Sequence, residues 1–213
     1  LDPEVYGWEG PVAKIVIRRL DPLYELTLYN LTPAGAQVFS PPVFATHDPS
    51  ASIFRLGDLA SAELAALAED GMTMPLTDAL DGAGGVHSAI AAAGPIMPGN
   101  MASWEIEAGR GIRHLSGAFM LVNTNDAFSG ADSIQLPAGG YAEYYLNVYD
   151  AGSEENTERA DNIPGPCCNG AGVRVPTEEP IAMHPGIQGG ADLDPDVYGW
   201  DNPAAKLKVK RIR

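Results

Sequence analysis

Apolar and polar residues alternate with a period of two along several stretches of the chain, the pattern of strands with one face in a core and one in solvent. Tyr24, Leu26 and Leu28 interleave with Glu25, Thr27 and Tyr29, and the run closes at Thr32-Pro33. Trp104, Ile106 and Ala108 interleave with Glu105 and Glu107, and Ala142, Tyr144, Leu146 and Val148 with Glu143, Tyr145, Asn147 and Tyr149. His114 to Val122 is more continuously apolar, as a central strand buried on both faces would be. One segment has helical spacing instead. Ser61 is placed to cap it, Glu63 falls in the first turn, Leu64, Leu67 and Ala68 form an apolar stripe, and Gly71 ends it. Residues 75–93 are expected to add a short helical turn or two around Leu76, Leu80 and Ile90, whereas 150–192 reads as loop, rich in Gly and Pro. The elements predict an all-β protein: an antiparallel sandwich with a short helical insertion between early strands.

The two ends of the chain are copies of one another. LDPEVYGWEGPVAKIVIRRL at 1–20 aligns without gaps to LDPDVYGWDNPAAKLKVKRI at 193–212. Each copy is a turn-rich lead followed by a strand pattern. In the second, Leu207 and Val209 are expected to face a core and Lys206, Lys208 and Lys210 to face out. The chain between the copies does not repeat. Residues 21–213 therefore read as one domain that owns a closing strand, and residues 1–20 as a surplus strand resembling the end of a preceding repeat or a donated strand.

Composition narrows the function classes. Apolar residues make up 45% of 213, enough for a core, and no run approaches the roughly 18 apolar residues of a membrane span. A formal charge of −15 argues against nucleic acid and anionic membrane surfaces, both of which reward a basic patch. The sequence opens at Leu1 without a charged-then-apolar leader, so a signal peptide is expected to have been removed if the protein is exported. The adjacent Cys167 and Cys168 are either plain loop thiols or a vicinal disulfide.

Several segments, in order, resemble the spondin N-terminal domain family. They are FSPPVFATHDPS at 39–50, LAALAEDG at 64–71, LVNTNDAFSGADS at 121–133, YDAGSEENTE at 149–158, IPGP at 163–166, HPGI at 184–187, and PAAK at 203–206 opening the last strand. The resemblance covers residues 24–213 and leaves 1–20 outside it. It implies a C2-like antiparallel β-sandwich, secretion, no catalytic activity, and a calcium site built from loops at one end. The calcium-binding acids of the family match Asp126, Asp150 and Glu154, with Glu at the last position in place of the family's usual Asp.

The residues agree that the acidic loops are the place to look. Asn123, Asn125, Asp126 and Asp132 follow an apolar strand, and Asp150, Glu154, Glu155 and Glu158 follow another. Calcium takes six to eight oxygen ligands, which flexible loops of carboxylates and carbonyls supply. The expected shell is Asp126, Asp150 and Glu154, completed by backbone carbonyls or Asp132. His47-Asp48 and His184 lack metal-site spacing and are expected to fix turns by hydrogen bonds. No P-loop, nucleophile elbow or dinucleotide fingerprint is present. The sequon at Asn30-Leu31-Thr32 would carry a glycan only in a glycosylating cell. Tyr141, Tyr144, Tyr145 and Tyr149 suit packing on both faces of a sheet more than sugar stacking.

The sequence thus predicts an extracellular, calcium-binding structural or adhesive module, not an enzyme. Its expected partners are copies of itself, head to tail through the surplus strand, and an extracellular matrix or cell-surface ligand. Trp8, Val12, Ile15, Ile17 and Trp200 are the expected assembly residues, with 20–23 as a short linker in a tandem array, or with the surplus strand added to a neighbour's sheet in a filament of separate chains. Two alternatives remain: residues 1–20 folding back as an extra edge strand, and a secreted module that binds a ligand or carbohydrate at a surface. A hydrolase using His47 and a carboxylate is a further rival.

Overall fold

The computed structural model describes residues 2–170 and 172–213. Leu1, which opens the first repeat copy, lies outside them. After a helical turn α1 (Pro3–Tyr6), the chain runs extended to β1 (Leu23–Asn30) and β2 (Val43–His47). Two helices follow, α2 (Ala62–Asp70) and α3 (Thr73–Asp81), then β3 (Val86–Ala91), β4 (Met101–Glu107), β5 (His114–Met120), β6 (Ala127–Gln135), β7 (Tyr141–Leu146) and β8 (Val148–Asp150). The last part holds a 3-10 turn at Ala160–Asn162, β9 (Ala182–Met183), a helical turn α4 (Pro195–Tyr198) and β10 (Ala205–Arg211).

The strands form two antiparallel sheets, ordered β4-β1-β10-β7 and β3-β2-β5-β6-β8-β9. Leu26 and Leu28 of β1, Ile106 of β4, and Leu207 and Val209 of β10 meet Phe44 of β2 and Leu115 and Phe119 of β5 in the core between the sheets. The other face of the six-stranded sheet is covered by the helical insertion, where Leu64, Leu67, Leu76 and Leu80 pack on Val43, Ala118 and Phe128. The second core explains why β2 and β5 lack alternation. Both faces of β2 are buried along its whole length. Strand β5 lies close to both neighbours: a Cβ on Gly117 would strike the Phe44 ring of β2, and a Cβ on Gly130 of β6 would strike the Gly117 carbonyl.

The helix over 62–70 forms as its caps dictate: the Leu64 amide donates to the Ser61 hydroxyl, and Gly71 takes the left-handed conformation at the other end. Two expectations need correction. Ile90 belongs to strand β3, where it pairs with Phe44, rather than to a helical turn. The single strand expected over 141–149 divides at Asn147, with β7 in the four-stranded sheet and β8 crossing to the six-stranded one. Tyr144 and Tyr149 consequently pack into different cores, while Tyr141 and Tyr145 face outward.

The repeat copies share a lead but differ in the fate of the strand after it. Each begins with a helical turn, α1 and α4. In the second copy β10 lies between β1 and β7, bonded to both. In the first copy, residues 7–22 pair with no strand among the described residues. They do not fold back as an edge strand. Ile15 and Ile17 are 85% and 90% exposed, whereas their counterparts Leu207 and Val209 are fully buried. Trp8 is exposed, while Trp200 packs beside the His184 ring at 5.3 Å.

Candidate metal centre

The acidic loops come together where β6 begins and β8 ends. Ala127 pairs with Asp150, which fixes the loop before β6 against the loop after β8. Asp126 ends the first of these loops and is fully buried. Its Oδ2 accepts hydrogen bonds from the Ser153 amide at 2.8 Å, the Glu154 amide at 3.0 Å and the Ser153 hydroxyl at 3.2 Å. Its Oδ1 is buried without a partner among the described residues. The turn that presents these amides needs Gly152, whose φ is +68° and whose missing Cβ leaves room for the Glu179 carbonyl. Asp150 steadies the same turn, its Oδ1 accepting from the Gly152 amide at 2.7 Å and its Oδ2 from the Asn156 side chain.

Glu154 is nearly buried and half satisfied. Its Oε1 is paired with the Arg174 guanidinium, which also reaches Glu69 at 2.9 Å and Asp70 at the end of α2. Its Oε2, like Asp126 Oδ1, is buried with no partner among the described residues. Burial pushes the Asp126 carboxyl up to about 7, and the nearby Asp150 charge adds to the rise against the pull of its three donors. Burial also raises Glu154, opposed mainly by Arg174. A buried unpaired carboxylate oxygen is costly, and two of them in adjoining loops are a deficit that a cation would offset.

Asp126, Asp150 and Glu154 are thus brought into one neighbourhood, and Asp132 is not. Asp132 is exposed on β6, six residues beyond Asp126, which along an extended strand is roughly 20 Å. The strand that carries it onward removes it from the expected shell. Among the described residues, no three His, Cys, Asp or Glu side chains form a ready-made metal cage. An ion here would take Asp126 and Asp150, the free Glu154 oxygen, and backbone carbonyls. Oxygen donors of this kind suit calcium rather than a thiolate- or imidazole-seeking metal. Arg174 and Ser153, which shape the site, were not singled out by sequence reasoning. The acidic end of α2 was the only sequence signal that a basic partner was needed there.

His47 and His184 hold turns. His47 is buried, with Nδ1 2.7 Å from the Asp48 carbonyl and Nε2 2.8 Å from the Ser116 hydroxyl. The Asp48 carboxylate accepts from the Ser50 amide instead. His184 Nδ1 accepts from the Gly186 amide at 3.0 Å, leaving Nε2 3.1 Å from the Asn156 carbonyl oxygen. Burial lowers the His184 pKa, against the raising effect of Asp150 and Glu158. Asn30 is buried and its amide donates to the carbonyls of Gln37 and Ile96, so the sequon is inaccessible in the folded chain. Cys167 and Cys168 are joined as a vicinal disulfide, packed beside Ile163, Ile187 and Leu193. No helix of the described residues is long and apolar enough to cross a membrane.

No protein-family model matches the chain, and no curated protein is significantly similar to it.

Proposed function

We propose that this chain is an extracellular, calcium-stabilised structural module of the spondin type, used in a tandem array or filament of like modules. The observation that carries the calcium part is the pair of buried carboxylate oxygens without a partner among the described residues, Asp126 Oδ1 and Glu154 Oε2, in loops that Asp126 Oδ2 joins by accepting from the Ser153 and Glu154 amides. Calcium would supply the positive charge that offsets these carboxylates. The array part is supported by the duplicated closing strand and the exposure of its first copy.

The reading makes the ion a stabiliser, not a catalyst. A ligand that binds only the folded state adds roughly 2.7 kcal/mol at a hundred times its dissociation constant. For a chain of this size that is a rise in melting temperature of roughly 5–10 °C. Chelation is expected to lower the melting temperature by that amount, and Asp150→Asn, which keeps an acceptor for the Gly152 amide, to remove most of the response. Identical melting curves with calcium and with chelator would refute the calcium reading.

A further inference from the structure

The surplus segment has a structurally defined destination, which rests on the array reading above. Strand β10 fills a slot between β1 and β7, and its inward residues Ala205, Leu207 and Val209 are fully buried. The first copy supplies Ala13, Ile15 and Ile17 at the same spacing, with Lys14, Val16 and Arg18 at the outward positions of Lys206, Lys208 and Lys210. It also carries its own anchor, since Trp8 matches Trp200 and α1 matches α4. Only a strand built for that slot needs all of these features together.

The slot cannot be its own. β10 already occupies it. A hairpin of the first copy onto β1 would place Asp21-Pro22 in the turn, whereas the turns that join adjacent strands best need positive φ, which proline cannot adopt. The Pro22 carbonyl is moreover held by the Ala108 amide at 2.9 Å, on the β4 side of β1 and away from the slot. Separate chains carrying two closing strands and one slot would each leave a strand uncovered. Modules joined in series share them and leave one at the end of the whole array. An uncovered apolar strand is an aggregation hazard, so the shared arrangement is the one that resolves it.

We infer that residues 13–19 are the closing strand of a second copy of this module, seated between that copy's β1 and β7. The register comes from β10, where Arg211 lies opposite Tyr24 and Leu207 opposite Leu28. Arg19 of one module is therefore set opposite Tyr24 of the other, and Ile15 opposite Leu28.

The test uses the full chain with its own closing strand spoiled by Leu207→Asp and Val209→Asp. This variant is expected to lose cooperative unfolding when dilute. A synthetic peptide of residues 1–20 is expected to restore it in a one-to-one complex, and the same peptide with Ile15→Asp and Ile17→Asp is not. Concentrated without peptide, the variant is expected to join head to tail, and adding Arg18→Cys with Glu25→Cys should give disulfides between chains. Rescue by a peptide of residues 193–213 but not by 1–20, rescue by neither, or a disulfide formed within one chain overturns the inference. The calcium response of the unaltered chain is independent of all these outcomes, so a failed rescue with an intact response removes strand sharing and leaves the calcium module standing.

Discussion

Asp126 is the residue on which the calcium reading turns. Its carboxyl is raised from an ordinary value of 3.8 to about 7, so between those values the ion-free folded chain holds a proton that the unfolded chain has released. This group's contribution to stability is therefore fully favourable below about pH 4 and is lost as pH rises through about 7. On the calcium proposal, the ion would bind the ionised form and expel that proton. Calcium affinity is predicted to weaken about tenfold for each pH unit below 7, and to level off above it, in titrations across pH 5–9. Asp126→Asn is predicted to raise the melting temperature in chelator at pH 8, because Asn has an acceptor for the Ser153 and Glu154 amides and no charge to bury. The same variant should lose the calcium increment. Asp126 and Asp150 were legible from their motifs. Arg174 was not, because its ion pairs with Glu69 and Glu154 join chain segments far apart in sequence.

The repeat isolates what position contributes to an element. Ile15 and Leu207 sit at matching places in nearly the same sequence, one in solvent and one in the core. Leu207→Ala is predicted to lower stability by about 2–5 kcal/mol in urea unfolding, as buried leucines generally do. Ile15→Ala should change it by no more than about 0.5 kcal/mol in the monomer. β1, β4 and β10 were legible because one face of each is buried, which writes the period of two into the sequence. The helix at 62–70 was legible through Ser61 and Gly71. Ile90 was misplaced because a short apolar run next to a helix carries no period of its own. The break at Asn147 was missed for a different reason: alternation continues smoothly from Tyr141 to Tyr149, and only pairing with β6 or β10 decides which sheet each half joins.

At the scale of the molecule, charge is polarised. The acidic loops crowd the end where β6 starts, while Arg19, Arg110, Arg113 and Arg211 line a cavity of about 290 Å³ at the other, beside the start of β1. The closing strand leaves the module at this basic end, where Arg213 Nε donates to the Asp21 carbonyl at 2.9 Å. Both junctions of a module in an array therefore lie at one pole, with only Leu20-Asp21-Pro22 between strands. Three modules in series are predicted to cluster about their basic ends. Small-angle scattering should give a maximum dimension of about two module lengths, and about three would contradict this geometry. Whether the acidic loops hold an ion is decided by equilibrium calcium titration of the full chain at pH 8. One saturable site per chain is predicted, absent in Asp126→Asn. No uptake of calcium by the unaltered chain at millimolar concentration, or equal binding by the variant, would rule the site out.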